Sequence, residues 1–175
     1  MSLSRRDLQV SAMDIRDAQV GDLEAMRAIY NEVLASSTSI FSDIPRSAED
    51  QARWFSERRA QGWPVIVAIR EGTLVGYATY GPFRSWPGYR HTVENSIYLA
   101  THARGLGLGA VLLSALLERA RTQGLHAVIA GIDGDNAASM RLHEKLGFTK
   151  VGHLRQVGRK FDRWLDLVFY ELVLT

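Results

Sequence analysis

The stretch Ala100–Leu113 reads ATHARGLGLGAVLL, with glycines at every second position between an arginine and an apolar run. Two patterns overlap in it. Gly105, Gly107 and Ala110 spell G-x-G-x-x-A, the dinucleotide fingerprint, while Arg104, Gly107 and Gly109 spell R-x-x-G-x-G. Both predict a diphosphate ligand at the start of a helix, where the first N–H groups lack partners and the dipole is positive. They predict different enzymes. A Walker A loop is excluded, because Ala110-Val111 stands where Lys-Ser/Thr is required. Asp133 ends the next strand, where a ribose-binding acid would sit in a Rossmann domain. Only one βα unit and a final hairpin follow the glycines, however, too few for that fold.

Working outward, Gly107–Gln123 has helical spacing, with Leu108, Val111, Leu112, Ala115, Leu116 and Arg119 on one stripe and Gly124 as its stop. His91–Leu99 before it and Ala127–Ile132 after it are strands. Upstream, Asp14–Ala18 is strand-like and Asp22–Leu34 is an amphipathic helix. Ser47 with Asp50 forms a capping-box start for a helix to about Gln61. PVIVAIR (Pro64–Arg70) and TLVGYATY (Thr73–Tyr80), joined by Glu71-Gly72, predict a hairpin. GPFRSWPGYR (Gly81–Arg90) has prolines and glycines enough for an ordered loop, with aromatic rings around Arg84 and Arg90. Downstream, Asn136–Leu146 is helical, and Lys150–Lys160 and Trp164–Leu174 are the last strands. The order β, α, α, β, β, β, α, β, α, β, β is a mixed α/β layout.

The chain has 175 residues, the size of one domain, with residues 1–13 read as a flexible extension and 14–175 as the folded unit. The extension has no apolar core of a secretory signal, and no run reaches the ~20 apolar residues of a membrane helix. With no cysteine, disulfides, cysteine-zinc sites and acyl-cysteine chemistry are excluded, and a cytoplasmic location is the default expectation. A net charge of +2, spread along the chain, gives no support for nucleic acid or a membrane as partner. HEKLG is not H-E-x-x-H, no G-x-S-x-G elbow occurs, and no cluster calls for a metal.

The second decisive stretch is NAASMRLHEKLGF (Asn136–Phe148). Together with ARGLGLGAVLL it resembles the GNAT superfamily of acetyl-CoA-dependent N-acetyltransferases, in which R/Q-x-x-G-x-G/A precedes an N-x-x-S-x-x-L-(H/Y)-x-K-x-G-F helix by one strand. Within it, YGPFRSWPGYRHTVENSIYL (Tyr80–Leu99) and GHLRQVGRKFDRWLDLVFYEL (Gly152–Leu172) resemble the phosphinothricin acetyltransferases, most of all their methionine sulfoximine/methionine sulfone acetyltransferase branch. The resemblance runs from about Asp14 to Leu174. It implies a GNAT fold: a mixed, mostly antiparallel sheet, splayed at the acetyl-CoA site, with helices on both faces.

The resemblance also implies roles. Acetyl-CoA would lie on the backbone of Ile97, Tyr98 and Leu99, its pyrophosphate on Arg104, Gly105, Leu106, Gly107, Leu108, Gly109 and Ala110. Asn136 would touch the pantetheine, cap its helix, or do both. Glu94 occupies the general base's position, acting through a water, and His143 is a second candidate in proton transfer. The α-amino group of a methionine sulfone, methionine sulfoximine or phosphinothricin is the implied acceptor. Arg84, Ser85, Trp86, Arg90, Glu94, Asn95 and Ser96 are candidate acceptor contacts, the arginines because a guanidinium binds a carboxylate through paired hydrogen bonds. Trp164 and Asp166 match a W-x-D pattern in an end strand that, in relatives, builds a homodimer. The alternatives are transfer to another small amine or a peptide N-terminus, and a non-catalytic CoA-binding module.

Overall fold

The computed structural model describes residues 13–174. β-Branched and aromatic runs build strands β1 (Met13–Asp17), β2 (Val65–Arg70), β3 (Thr73–Pro82), β4 (Thr92–Leu99), β5 (Ala127–Asp133), β6 (Thr149–Lys160) and β7 (Arg163–Val173). The amphipathic segments give α1 (Leu23–Ser36), α2 (Ala48–Ala60), α3 (Leu108–Thr122) and α4 (Ala137–Lys145). Residues 1–12 of the expected extension lie outside the described residues, and Met13 already pairs with Arg70.

The strands form one sheet in the order β1-β2-β3-β4-β5-β7-β6, antiparallel throughout except between β4 and β5. The β2–β3 hairpin turns on Glu71 (φ 51°) and Gly72 (φ 75°), the two left-handed residues that a twist-matched two-residue turn needs. β3 runs further than its composition suggests. Gly81 and Pro82, read as loop, pair with Glu94 and Val93, a proline being tolerable where a strand ends.

α1 and α2 cover one face, where Tyr98 of β4 meets the ring of Tyr30 and Tyr77 of β3 meets Trp54. α3 and α4 cover the other. Leu112, Leu113 and Leu116 of α3 are fully buried there, each worth roughly 1.5–3 kcal/mol relative to an exposed side chain. Arg119, expected on that stripe, is instead exposed and pairs with Asp17 at 2.8 Å, while Ala120 takes the buried place. A guanidinium reaching solvent avoids the desolvation that the stripe would impose. Ser47 and Asp50 make the capping box of α2 as expected.

Candidate active site

Among the described residues β4 and β5 are the only parallel neighbours, and they pair for three residues: Thr92 with Ala127, Val93 with Val128, Glu94 with Ile129. Beyond Glu94 they part. β4 continues to Leu99 along β3 and β5 continues to Asp133 along β7, leaving a wedge-shaped slot whose edge on one side is the backbone of residues 95–99. Such an edge presents unpaired main-chain groups to an extended ligand.

Glu94 stands at the vertex of the slot. Strand alternation puts Glu94, Ser96 and Tyr98 on the α1/α2 face, and Asn95, Ile97 and Leu99 on the other. The Glu94 carboxylate reaches toward β5, where a Cβ on Gly131 would come within 2.8 Å of its Oε1. Gly131 therefore makes the room that the carboxylate occupies. Partial burial pushes the Glu94 carboxyl above the ordinary carboxylate range, opposed by the nearby charge of Arg84. A raised pKa with an accessible face is what a general base for an amine requires.

The other base candidate has a different setting. His143, 4% exposed, holds Nδ1 at 2.8 Å from the Ser139 carbonyl oxygen and Nε2 at 3.0 Å from Asn95 Nδ2. A carbonyl only accepts, so Nδ1 carries the hydrogen and Nε2 accepts from the Asn95 amide. Burial lowers its pKa, and the ring sits edge-on to Phe148. Both nitrogens are thus engaged, on the face away from the Glu94 carboxylate. Asn95, grouped in the sequence with Glu94 and Ser96, is drawn to this opposite face, and its side chain is buried against His143.

At the mouth of the slot, Gly105 (φ 75°) and Gly107 (φ 85°) adopt left-handed backbone, and Gly107 is the N-cap of α3. A side chain at either would cost about 1–2 kcal/mol. Gly109 serves packing instead, since its Cβ would lie 3.0 Å from Leu142 of α4. The first turn of α3 carries no acid, and Arg104, exposed, donates from Nε to the Leu99 carbonyl at 3.3 Å. N–H groups at a helix start whose first turn carries no acid, with a guanidinium beside them, fit a pyrophosphate, although Glu32 lies near Arg104 and accepts from the Thr101 N–H at 3.2 Å, and the open edge of 97–99 fits a pantetheine arm. Asn136 caps α4 by accepting from Ser139 N–H at 3.1 Å and donates to Ser39 Oγ at 3.1 Å. Asp133, the ribose-acid candidate of the rejected Rossmann reading, is buried and accepts from the Thr38 hydroxyl.

Arg84, Ser85, Trp86 and Arg90 are exposed beyond the end of β3. Arg84 stacks 4.1 Å above the Phe83 ring and donates to its carbonyl, so its guanidinium is held near Glu94. Arg90 bonds weakly to the Pro87 carbonyl at 3.4 Å, and Trp86 is 74% exposed. Trp164 is also exposed, while Asp166 is bound by His153 and the Gln156 amide.

Sequence reading missed three features. Lys160, 2% exposed, donates to the carbonyls of Leu34, Ser37 and Ile40 at 2.6, 2.9 and 2.9 Å, pinning the segment between α1 and α2 beside the slot. Arg46 and Arg58 lie on the Glu94 face. Gly131 gave one legible signal, a glycine inside an apolar strand, which marks a close approach. A hollow of about 590 Å³ between β1, α2 and the end of α3, lined by Phe55, Arg59, Trp63 and Arg119, holds none of the candidate site residues. No group of three or more His, Asp or Glu able to hold a metal occurs among the described residues, and no described helix is long and apolar enough to cross a membrane.

A sheet splayed at one parallel pair, with a carboxylate at the vertex and a glycine-rich helix start at the mouth, has the layout of a coenzyme-dependent group-transfer enzyme. The model of the acetyltransferase (GNAT) family matches residues 26–148, and the chain belongs to that family. It is 48% identical to the L-methionine sulfoximine/L-methionine sulfone acetyltransferase of Pseudomonas aeruginosa over 161 residues, 91% of this chain and 94% of that protein. The crystal structure of a ribosomal-protein-alanine N-acetyltransferase from Brucella melitensis superposes with a TM-score of 0.91 at 47% identity, covering 92% of this chain and 99% of that one. A GNAT superfamily phosphinothricin acetyltransferase from Sinorhizobium meliloti, solved in complex with acetyl-CoA, superposes with a TM-score of 0.91 at 38% identity over 93% and 89% of the two chains.

Proposed function

We propose that the protein transfers an acetyl group from acetyl-CoA to the α-amino group of a small amino acid with an oxygen-rich side chain, such as L-methionine sulfone, L-methionine sulfoximine or phosphinothricin. The observation that carries this is the position of Glu94 at the vertex of the slot, its carboxyl raised by burial and its Oε1 facing Gly131. The names of the Pseudomonas and Sinorhizobium relatives support the acceptor class.

Bound acetyl-CoA supplies the activated acetyl thioester. The N–H groups at Gly105–Gly109 and Arg104 would hold the pyrophosphate, the Ala110 N–H being taken by the Gly107 carbonyl at 3.1 Å, and Ile97, Tyr98 and Leu99 would hold the pantetheine arm through their backbone. One main-chain N–H of this segment would donate to the thioester oxygen, most strongly where charge gathers in the transition state. A peptide α-ammonium has a pKa of about 8 and that of a free amino acid, beside its own carboxylate, lies higher, so most acceptor arrives protonated. Glu94 takes that proton through one water, freeing the amine to attack; as the C–N bond forms the thioester C–S bond breaks, and CoA leaves as the thiol with the second amine proton. Arg84, stacked on Phe83, clamps the α-carboxylate, with Ser85, Trp86, Arg90 and Ser96 completing the acceptor surface. His143 and Asn95 act as a positioning pair: neutral His143 fixes β4 at the residue after the base.

We also place the enzyme in the cytoplasm as a homodimer. Val151, Leu154 and Val157 of β6, Phe161 of the turn after it and Trp164 of β7, all exposed, support a self-association face.

An acceptor panel with thiol release as readout tests the function. Release with methionine sulfone, sulfoximine or phosphinothricin at rates well above those with peptides is the expected result. A strong preference for peptide N-termini, the second reading, which the Brucella relative's name favours, would overturn it.

A further inference from the structure

A second polar centre lies on the Glu94 face, used by neither the base nor the glycine loop. The Arg46 guanidinium stacks 3.7 Å above Tyr30 and 5.1 Å from the Trp54 ring. Arg58 lies 5.8 Å from the same indole and donates from Nη1 to the Tyr80 carbonyl at 2.9 Å. Neither guanidinium makes an ion pair among the described residues.

Beneath them are two orphans. The Tyr77 hydroxyl and Gln51 Nε2 are buried without a hydrogen-bond partner, on residues 0% and 1% exposed. The Gln51 oxygen already accepts from Arg46 Nη1 at 3.0 Å, so what Gln51 has left to offer is a donor. The centre is therefore rich in donors: two guanidiniums and an amide, with a hydroxyl that can donate or accept. Leaving such groups unpaired costs about 1–3 kcal/mol each, and a donor-rich arrangement matches a ligand end that carries several accepting atoms.

Its position relates it to the base. Arg58 Nη1 lies 1.6 Å from where a Cβ of Gly81 would be, and Gly81 is the cross-strand partner of Glu94. From there the centre extends toward Tyr98, whose ring lies 4.9 Å from Tyr77. An amino acid with its amine at Glu94 and its carboxylate on Arg84 has its side chain free to run this way. Three bonds beyond Cα, a sulfone, sulfoximine or phosphinate carries a tetrahedral sulfur or phosphorus studded with accepting atoms. A thioether there accepts almost nothing.

Resting on the proposed acetyl transfer to amino acids, we propose that Arg46, Arg58, Tyr77 and Gln51 form the specificity pocket for a tetrahedral, oxygen-rich side-chain end. The pocket selects methionine sulfone, methionine sulfoximine and phosphinothricin over methionine because the unoxidised side chain leaves its donors unpaired.

The test is kcat/KM for L-methionine sulfone and for L-methionine with the unsubstituted enzyme, Tyr77→Phe, Arg46→Gln and Arg46→Lys, with acetyl-CoA affinity measured on each. The unsubstituted enzyme prefers the sulfone. Tyr77→Phe, which removes one unpartnered hydroxyl, lowers the sulfone-to-methionine ratio about tenfold, mainly through KM. Arg46→Gln lowers it further and Arg46→Lys restores part of it, while acetyl-CoA affinity stays within twofold. A ratio unchanged in both Tyr77→Phe and Arg46→Gln, or equal losses for both acceptors, as a purely structural role predicts, overturns the pocket. Absence of turnover with every amino acid in the unsubstituted enzyme defeats the transfer reading itself, and the pocket with it.

Discussion

Asn95 Nδ2 lies 3.0 Å from His143 Nε2, a buried hydrogen bond that ties β4 to α4 at the first residue past the point where β4 and β5 part. It fixes the strand that carries Glu94 from the face away from the carboxylate, and it requires a neutral imidazole.

That requirement gives a pH signature. The folded pKa of His143 lies below its usual 6.5, so below that pH the unfolded chain binds a proton that the folded one does not. Stability therefore falls as pH drops through and below 6.5, down to the folded pKa. His143→Phe removes this acid limb and leaves Asn95 Nδ2 unpaired, costing about 1–3 kcal/mol at neutral pH. Urea titrations of both proteins between pH 5 and 8 check both effects.

Glu94 runs in the opposite sense. Its folded pKa is raised above 4.5, so its contribution to stability is complete below that pH and is lost as pH rises through the folded value. At neutral pH the ionised carboxylate is a strain on the fold, and Glu94→Gln should raise the melting temperature. A lower melting temperature at pH 7 would show that the carboxylate is held by partners rather than merely desolvated.

Gly107→Ala places a side chain at φ 85°. It should cost about 1–2 kcal/mol of stability and raise the KM for acetyl-CoA far more than that for the acceptor. Steady-state kinetics with each substrate varied in turn separate the two.

Lys160→Met removes an ammonium that satisfies three carbonyls of the α1–α2 segment. A loss of roughly 3 kcal/mol is expected, with hydrogen exchange rising at residues 37–41 before the sheet is affected. Unchanged protection there would mean that Thr38–Asp133 and Ser39–Asn136 suffice to hold the segment.

The features readable in the sequence were those written in neighbouring residues. The Glu71-Gly72 turn, the Ser47–Asp50 cap, the Asn136 cap and the glycine start of α3 each depend on a few consecutive positions, and each occurs as read. What escaped depends on the sheet bringing distant segments together. Lys160 meets Leu34 across 126 residues, and Arg58 meets Tyr80 across 22. Asn95 is an intermediate case, since two-residue alternation alone separates it from Glu94 and Ser96, but only the folded sheet supplies His143 as its partner.

The most direct measurement is turnover of L-methionine sulfone, read as thiol release with the acetylated product identified by mass, in the unsubstituted enzyme and in Glu94→Gln. Acetyl transfer by the first, with equal acetyl-CoA affinity but turnover slower by about 10²–10⁴-fold in the second, is the predicted result. Equal turnover by both proteins, or none by the unsubstituted enzyme with any amino-acid acceptor, would contradict it.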